Sequence, residues 1–295
     1  MRVTFLGLGL IGGSIARALR ALPSDDGPFG GATIGAWTPS GAGPRAAMSG
    51  GTVDLAATRL EDALEGADLV VLAAPPTATL ELLDRLAGPA RAPLGDALVT
   101  DVASTKAAIV GRATERRLRF VGGHPMAGRE TSGFAAASAD LFVGRPWVVV
   151  PDAAAPADVE LVAGLARACG AMPLPMAAAE HDEAAAMISH LPLVVAAALV
   201  DAVAGGAGEA ERAGWPAAAA LAASGWRDMT RLARGDAAMA AGIAATNAAA
   251  VATQVRALQA ALDLWLTELD RAGGPDAGRL AERFRAARQR LEARD

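Results

Sequence analysis

The chain has 295 residues, of which 53% are hydrophobic and 20% are charged, enough apolar material to form a packed core in one or two domains. Its formal net charge of −5 and the lack of any run of Lys or Arg argue against a surface that binds nucleic acid. The composition therefore indicates a soluble globular protein for which nucleic acid is an unexpected partner.

The cellular compartment follows from the cysteine count and the apolar segments. The single cysteine, Cys169, cannot form an internal disulfide, which favours a reducing compartment. The apolar start "MRVTFLGLGL" lacks the basic region of a signal peptide. The later apolar run "LPLVVAAALV" stops at Asp201, short of the ~20 residues that a membrane span needs. We therefore expect a cytoplasmic protein with no membrane partner.

The first predicted elements are a strand, a glycine-rich turn and a helix. The strand "VTFLG" is followed by Gly7, Gly9 and Gly12 in the spacing G-x-G-x-x-G, and then by the helical stretch "SIARALRAL". In this pattern the first glycine makes a tight turn, the second lets the backbone approach a pyrophosphate, and the third lets helix pack on strand. The sequence therefore predicts a site for NAD or NADP at this turn, to which we also assign Leu10 and Ile11.

Alternating strands and helices continue along the first half of the chain. Strand-like runs occur at "ATIGAW", "ADLVVLAAP", "DALVTDVA", "LRFVGG" and "PWVVVP", with helical stretches between the middle ones. Such alternation is typical of an α/β fold with a mostly parallel, doubly wound sheet of the Rossmann type. We assign residues 1–175 to this NAD(P)-binding domain.

From about residue 176 the chain becomes Ala-rich with helical periodicity. We therefore assign residues 176–295 to an all-α domain for substrate binding and dimerisation. The predicted helix over 182–204 is apolar around most of its circumference, which implies burial against other helices, including those of a second subunit. We expect a homodimer built through residues after about 180, with active-site clefts between the domains.

Several motifs occur in a fixed order along nearly the whole chain, from Met1 to about residue 270. They are "GLGLIGGS", "TDVASTK", "GGHPMAGRETSG", "LFVGRPWVVVP", "EHDEAAAMISHLP" and "GWRDMTRLARGD". Together they closely resemble the prephenate/arogenate dehydrogenase family of tyrosine biosynthesis, and "HPMAG" with "SHLP" carries most of the specificity. The resemblance implies NAD(P)-dependent oxidative decarboxylation of prephenate to 4-hydroxyphenylpyruvate, or of arogenate to tyrosine.

The resemblance assigns the catalytic roles to His124 and Ser104. His124 accepts the hydroxyl proton of the substrate as the hydride leaves, a task that suits an imidazole with a pKa near ~6.5. Pro125 restricts His124 to extended backbone. Ser104 is expected to contact the substrate hydroxyl and the nicotinamide; capping the helix that follows it is an alternative, and one residue could do both. No metal is expected, because the histidines and the cysteine lack ligand spacing.

The resemblance also implies contacts with the rest of the substrate. Arg231 is expected to hold a substrate carboxylate, with Glu130 and Asp228 orienting it, one of them across a dimer interface; an exposed ion pair is the alternative. His190 is expected to contact the substrate side chain, or else to be a core histidine. The chain has Leu193 where many relatives have a further histidine. The resemblance therefore does not determine which residues surround the substrate side chain.

Two further features leave alternatives open. His181 and Asp182 stand at a helix start, where capping is as reasonable as a functional role. At the end of the second strand the chain has Trp37 where many NAD-preferring relatives have an acid, so nothing there repels the 2′-phosphate of NADP. The residues assigned to the adenosine end are Trp37, Thr38, Ser40 and Arg45, and Trp37 could stack on the adenine of either cofactor.

Other classes of protein remain as alternatives. A β-hydroxyacid dehydrogenase or imine reductase also joins a Rossmann domain to a helical domain, but would place its catalytic Lys or Asp in the helical part, and "HPMAG" counts against it. A nucleotide sensor without turnover is opposed by the joint presence of Ser104, His124 and Arg231. We also expect no fused chorismate mutase and no C-terminal regulatory domain, so that any inhibition by tyrosine is competitive.

Overall fold

An eight-stranded sheet forms the first part of the protein in a computed structural model, which describes residues 1–129 and 131–293. The strands are β1 (Arg2–Leu6), β2 (Thr33–Trp37), β3 (Leu55–Ala56), β4 (Leu69–Leu72), β5 (Leu98–Asp101), β6 (Phe120–Pro125), β7 (Pro146–Val150) and β8 (Met172–Pro175). Their order is β3-β2-β1-β4-β5-β6-β7-β8, and all neighbours are parallel except β6 and β7. The order 3-2-1-4-5-6 of the first six strands is that of a Rossmann sheet, which confirms the predicted fold class.

The central strands are apolar because both faces of the sheet are covered. In β4, Leu69 and Val71 pack on one face, while Val70 and Leu72 pack on the other, and all four are fully buried. Side chains alternate between faces along a strand, so a strand covered on both sides becomes a continuous apolar run. The predicted strand "ADLVVLAAP" has this pattern.

Seven helices accompany the sheet and seven follow it among the described residues. The first group is α1 (Leu10–Arg20), α2 (Ala42–Ser49), α3 (Leu60–Leu64), α4 (Pro76–Ala87), α5 (Arg91–Leu94), α6 (Ala107–Glu115) and α7 (Pro156–Ala168). The second group is α8 (Ala178–Ala185), α9 (Leu191–Ala204), α10 (Trp215–Ala220), α11 (Ser224–Thr230), α12 (Ala237–Thr246), α13 (Ala248–Leu269) and α14 (Ala277–Glu292). The change from strands to helices near residue 175 agrees with the sequence pattern.

The helices α8 and α9 are joined by a π-helical turn, Ala186–His190, into one helix of 27 residues, Ala178–Ala204. A π turn accommodates one extra residue in an α-helix and is frequent at functional sites. By length and composition alone this helix is apolar enough to cross a membrane. The two parts of this helix differ in burial. The α8 part buries the polar side chains of His181 and Asp182, whereas in α9 only Ala196 is fully buried within the single chain.

The chain divides into two compact units, Met1–Ala248 and the part from Ala249 onward. Helices α8 to α12 therefore belong to the same unit as the sheet, and the second unit contains most of α13 and all of α14. In the second unit, the ring of Trp265 packs against that of Phe284, 4.9 Å between centroids. The boundary predicted at 175/176 stays a prediction.

A buried ion pair connects the end of β5 to the start of α6. The side chains of Asp101 and Lys106 are both fully buried and in direct contact. Gly123 of β6 donates its N–H to Asp101 Oδ1 at 3.1 Å, and its carbonyl accepts from Lys106 Nζ at 2.7 Å. Burial raises the pKa of Asp101 and lowers that of Lys106, and their mutual attraction opposes both shifts. The pair thus fixes the backbone of β6 at Gly123.

We expect Lys106→Met to lower the free energy of unfolding by about 3–5 kcal/mol, because it leaves the carboxylate of Asp101 buried without its counter-charge. Urea denaturation measures this. The matched control is Arg288→Met, which removes an exposed pair with Glu292 and should cost less than about 1 kcal/mol. An equal, small loss for both variants would contradict the prediction.

Candidate active site

The glycine-rich turn between β1 and α1 has the geometry of a nucleotide cradle. Gly7 has φ +105°, and a Cβ there would lie 2.2 Å from the carbonyl oxygen of Ala73. A Cβ at Gly12 would lie 2.7 Å from the carbonyl oxygen of Gly7, whereas one at Gly9 would meet nothing within 4 Å. Gly7 and Gly12 are therefore required for folding, because a side chain at either position would clash with the protein's own backbone. Gly9 instead faces open space at the N-terminus of α1, the place where a pyrophosphate binds in this type of turn.

A pocket of about 450 Å³ lies at this turn. Predicted cofactor residues in its lining are Gly7, Gly9, Trp37, Thr38 and Ser40. The guanidinium of Arg85 lies 5.3 Å from the centroid of the Trp37 ring, so one face of the indole is already occupied by a cation. The pocket thus brings together five of the residues that the sequence predicts to contact the cofactor.

The remaining predicted cofactor residues lie around this pocket. The exposed guanidinium of Arg45 donates to the carbonyl oxygen of Ser40 at 3.1 Å, so it stands next to the lining. Leu10 and Ile11, in the first turn of α1, are half-buried and pack against the core. Their side chains thus support the turn, and their assignment to the cofactor stays a prediction.

His124 is near the carboxyl end of β6, paired with Val148 of β7. Because β1, β4, β5 and β6 are parallel, their carboxyl ends meet at the edge of the sheet that carries the glycine turn. The imidazole is half-buried. Burial, together with nearby His181, Lys106 and His190, holds the pKa of His124 well below its ordinary value of 6.5. His124 is therefore a neutral imidazole at neutral pH.

Three side chains form a hydrogen-bonded series that we call the His124–His181–Asp182 row. Nδ1 of His124 lies 2.8 Å from Nε2 of His181, and Nδ1 of His181 lies 2.8 Å from Oδ1 of Asp182. His181 and Asp182 are 2% and 4% exposed. The row connects the sheet edge at β6 to the first turns of α8.

The carboxylate of Asp182 also caps α6. Its Oδ1 accepts the backbone N–H of Lys106 at 2.7 Å, and its Oδ2 accepts that of Ala107 at 2.8 Å. Two of the N–H groups that every helix leaves without an internal partner at its start are satisfied in this way. The capping alternative for Ser104 is therefore wrong: α6 begins at Ala107, three residues later, and Asp182 supplies the cap.

Ser104 and His190 lie close to the row. Ser104 is half-buried in the loop between β5 and α6, next to the backbone that Asp182 holds. His190, at the end of the π turn, is 1% exposed, and its Nδ1 lies 3.1 Å from Nδ2 of Asn247. Burial lowers the pKa of His190, and the Asp182 carboxylate opposes that shift. The predicted substrate contacts of both residues stay predictions.

The residues predicted to bind a substrate carboxylate belong to α11 and to the turn that follows it. Asp228 is exposed in α11, and Arg231, also exposed, begins the 3₁₀ turn Arg231–Arg234 that packs against α9. Glu130 lies outside the described residues. The arrangement of Glu130 and Asp228 about Arg231 therefore stays a prediction.

Sequence reasoning missed two groups of the site. Asn247 donates from Nδ2 to the backbone carbonyl of Asp182 at 2.7 Å and also reaches His190, so it joins the end of α12 to α8 and the π turn. The Asp101–Lys106 pair was likewise missed. The buried pair could have been suspected from Asp101, a charged residue at the end of an apolar strand. Nothing in the sequence indicates the role of Asn247, because a single Asn in a helical segment forms no recognisable motif.

A Rossmann sheet whose carboxyl edge carries both a glycine cradle and a histidine, followed by a helical region, is an arrangement typical of nucleotide-dependent dehydrogenases. Two family models match the chain: the nucleotide-binding domain of prephenate dehydrogenase over residues 36–173, and its dimerization domain over residues 177–285. The chain belongs to the prephenate dehydrogenase family of oxidoreductases.

Individual relatives agree with this family. The prephenate dehydrogenase of Bacillus subtilis (strain 168) is 35% identical over 241 residues, which are 80% of this chain and 62% of that protein. Synechocystis arogenate dehydrogenase is 31% identical with a TM-score of 0.76, covering 99% of this chain and 100% of that one. Prephenate dehydrogenase from A. aeolicus, solved with hydroxyphenyl propionate and NAD+, is 26% identical with a TM-score of 0.82 over 100% and 98% of the chains. The chain thus spans about 62% of the length of its curated Bacillus relative.

We expect Gly9→Ala to fold normally but to bind NAD and NADP at least about tenfold more weakly, because its methyl group enters the space where backbone approaches the pyrophosphate. Titration calorimetry and thermal unfolding measure the two effects. The control, Gly12→Ala, places a Cβ 2.7 Å from backbone and should lower stability directly. Unchanged nucleotide affinity in Gly9→Ala would show that the cradle does not bind the cofactor.

Proposed function

We propose that this protein catalyses the NAD(P)-dependent oxidative decarboxylation of a cyclohexadienol with a ring carboxylate, prephenate or arogenate, in tyrosine biosynthesis. The single observation that carries the proposal is the position of His124, hydrogen-bonded to His181, at the sheet edge that also holds the glycine cradle. Membership of the prephenate dehydrogenase family supplies the substrate class. The products are 4-hydroxyphenylpyruvate or tyrosine, with CO₂.

The proposed mechanism assigns proton transfer to the protein. His124 accepts the hydroxyl proton of the substrate, so that the oxygen becomes a carbonyl as hydride leaves its carbon. NAD(P), bound by the glycine turn and the pocket at Trp37, supplies the hydride acceptor. Loss of CO₂ from the opposite ring carbon returns the bonding pair to the ring, which becomes aromatic and makes the step favourable. Ser104, in the neighbouring loop, is assigned to orient the substrate hydroxyl.

Arg231 is assigned to bind a carboxylate of the substrate. A guanidinium presents two parallel N–H donors to a carboxylate, and it stays charged over the whole working range of pH. Asp228 is three residues earlier, in the last turn of α11, in keeping with an orienting role. Because the substrate carboxylate is charged before and during the reaction, this contact acts mainly on binding.

The choice of cofactor is proposed from the end of β2. Trp37 stands where a carboxylate would disfavour NADP, and Thr38, Ser40 and Arg45 offer donors for a 2′-phosphate. Both NAD and NADP therefore fit the loop. Assays that pair each cofactor with prephenate and with arogenate, read by absorbance of the reduced nicotinamide, test the function and identify the preferred pair; no turnover with any of the four combinations would refute it.

We expect His124→Ala to lower kcat by about 10²- to 10⁴-fold with a smaller change in KM, because proton acceptance is stronger in the transition state. Arg231→Ala serves as the contrast and should mainly raise KM. The wild-type acid limb of kcat should lie below pH 6.5, because a base works only above its pKa and burial lowers the pKa of His124. His124→Ala should remove that limb; a mutant that keeps it and loses only affinity would refute the assignment.

We further propose that the protein is a cytoplasmic homodimer. Support comes from the match of residues 177–285 to a dimerization domain and from the apolar surface that one chain leaves exposed. In the second unit, Leu262, Leu266 and Leu269 of α13 are half exposed and share one helix face. In the first unit, Met187 and Ile188 of the π turn are exposed. A second copy of the chain would cover these surfaces.

We expect light scattering at micromolar concentration to give twice the chain mass of 29.6 kDa. The double variant Leu262→Glu and Leu266→Glu should shift the protein towards monomer, because it places charge on an apolar face that is exposed within the chain. Thr267→Glu, an exposed polar position on the opposite side of the same helix, is the control and should stay dimeric. A wild-type mass of a single chain would contradict the homodimer.

A further inference from the structure

We propose that His181 and Asp182 are positioning residues that decide which nitrogen of His124 carries its proton. The proposal rests on the proposed function, because it concerns the base of that reaction. It starts from the His124–His181–Asp182 row, in which both heavy-atom distances are 2.8 Å. A neutral imidazole donates from one nitrogen and accepts at the other, so the direction of hydrogen bonding along the row decides which nitrogen is free.

The direction is set at the Asp182 end. A carboxylate only accepts hydrogen bonds, and that of Asp182 already accepts the backbone N–H groups of Lys106 and Ala107. Its position at the N-terminus of α6 further favours negative charge. The Nδ1 of His181 that faces this carboxylate must therefore carry a proton, since the opposite arrangement would bring two lone pairs together at 2.8 Å.

The remaining steps follow from the chemistry of imidazole. With its proton on Nδ1, neutral His181 presents the lone pair of Nε2 to His124. His124 must then donate from its Nδ1, which leaves its Nε2 unprotonated and able to accept a proton. This is the tautomer that a general base requires. The row therefore holds His124 in its reactive form before substrate binds.

The same contacts also suit the protonated form of His124. After proton transfer both of its ring nitrogens carry hydrogen, and Nδ1 continues to donate to His181 without any rearrangement. The carboxylate at the far end of the row favours the new positive charge, whereas burial and the neighbouring His181, Lys106 and His190 oppose it. A group that is held in place in both protonation states needs no reorganisation during the reaction.

The chain is well suited to a direct test, because it has three histidines and therefore six ring nitrogens. Nitrogen-15 NMR of the full-length protein at neutral pH distinguishes protonated from unprotonated ring nitrogens, and His124→Ala assigns the signals of His124. We expect Nδ1 of His124 to be protonated and Nε2 to be unprotonated. This measurement needs neither substrate nor cofactor.

Variants of the row separate positioning from a merely structural role. His181→Leu removes the acceptor, and we expect a kcat about 10- to 100-fold lower, little change in KM, and mixed tautomers at His124. His181→Gln should restore much of kcat, because its amide NH₂ can turn to Asp182 and its oxygen to His124. Asp182→Asn should also mix the tautomers, because an amide can donate as well as accept.

The matched control is Asp276→Asn, which makes the same change at another helix N-cap, where the side chain accepts the N–H groups of Gly278 and Arg279. It should lower stability without changing the tautomer or kcat. The proposal is overturned if wild-type His124 carries its proton on Nε2, or if Asp182→Asn and His181→Leu keep the wild-type tautomer and kcat. If the NMR spectra show the expected tautomer but neither prephenate nor arogenate is turned over, the positioning role of the row is supported and only the proposed function is refuted.

Discussion

The carboxylate of Asp182 is the contact on which the geometry of the candidate site depends. It satisfies the start of α6, accepts from His181, and stands in α8, so a single side chain joins the sheet region to the helices that follow. A buried carboxylate is costly unless its oxygens are fully hydrogen-bonded, and here three N–H groups meet them. The need to satisfy one charge therefore ties the position of α8 to that of His124.

A second buried charge acts on the other side of His124. The Asp101–Lys106 pair holds both backbone groups of Gly123, the residue directly before His124. A Cβ at this glycine would lie 2.7 Å from the carbonyl oxygen of Asp101, so the backbones of β5 and β6 approach closely here. The backbone of His124 is thus fixed by one set of charges and its imidazole by another. Both sets depend on the loop from Asp101 to Lys106, whose ends they hold.

The sequence is informative where a physical pattern has a single structural solution. Doubly covered strands become apolar runs, so six strands could be found, but β3 has two residues and β8 contains two prolines at the sheet edge, and neither shows such a run. The glycine spacing predicted the cradle because Gly7 and Gly12 are sterically required. The partners of His181 and Asp182 could not be predicted, since hydrogen bonds between distant segments leave no periodic signal. Ser104 was open to a capping role for the same reason: Asp182, the group that caps α6, is 76 residues from Lys106.

The π turn at Ala186–His190 sets the rotational phase between the two ends of its helix. In a regular α-helix, residues nine apart such as His181 and His190 point in roughly opposite directions, because each residue turns the chain by about 100°. The wider π turn reduces that rotation, and both histidines are buried, with Asn247 bridging the backbone of Asp182 and the ring of His190. The extra residue thereby also sets which residues of α9 face the turn Arg231–Arg234 that packs against it. Deleting one residue from this segment would rotate α9 by about 100° relative to α8. The number of residues in the turn is therefore as much a part of the site as the side chains that the turn carries.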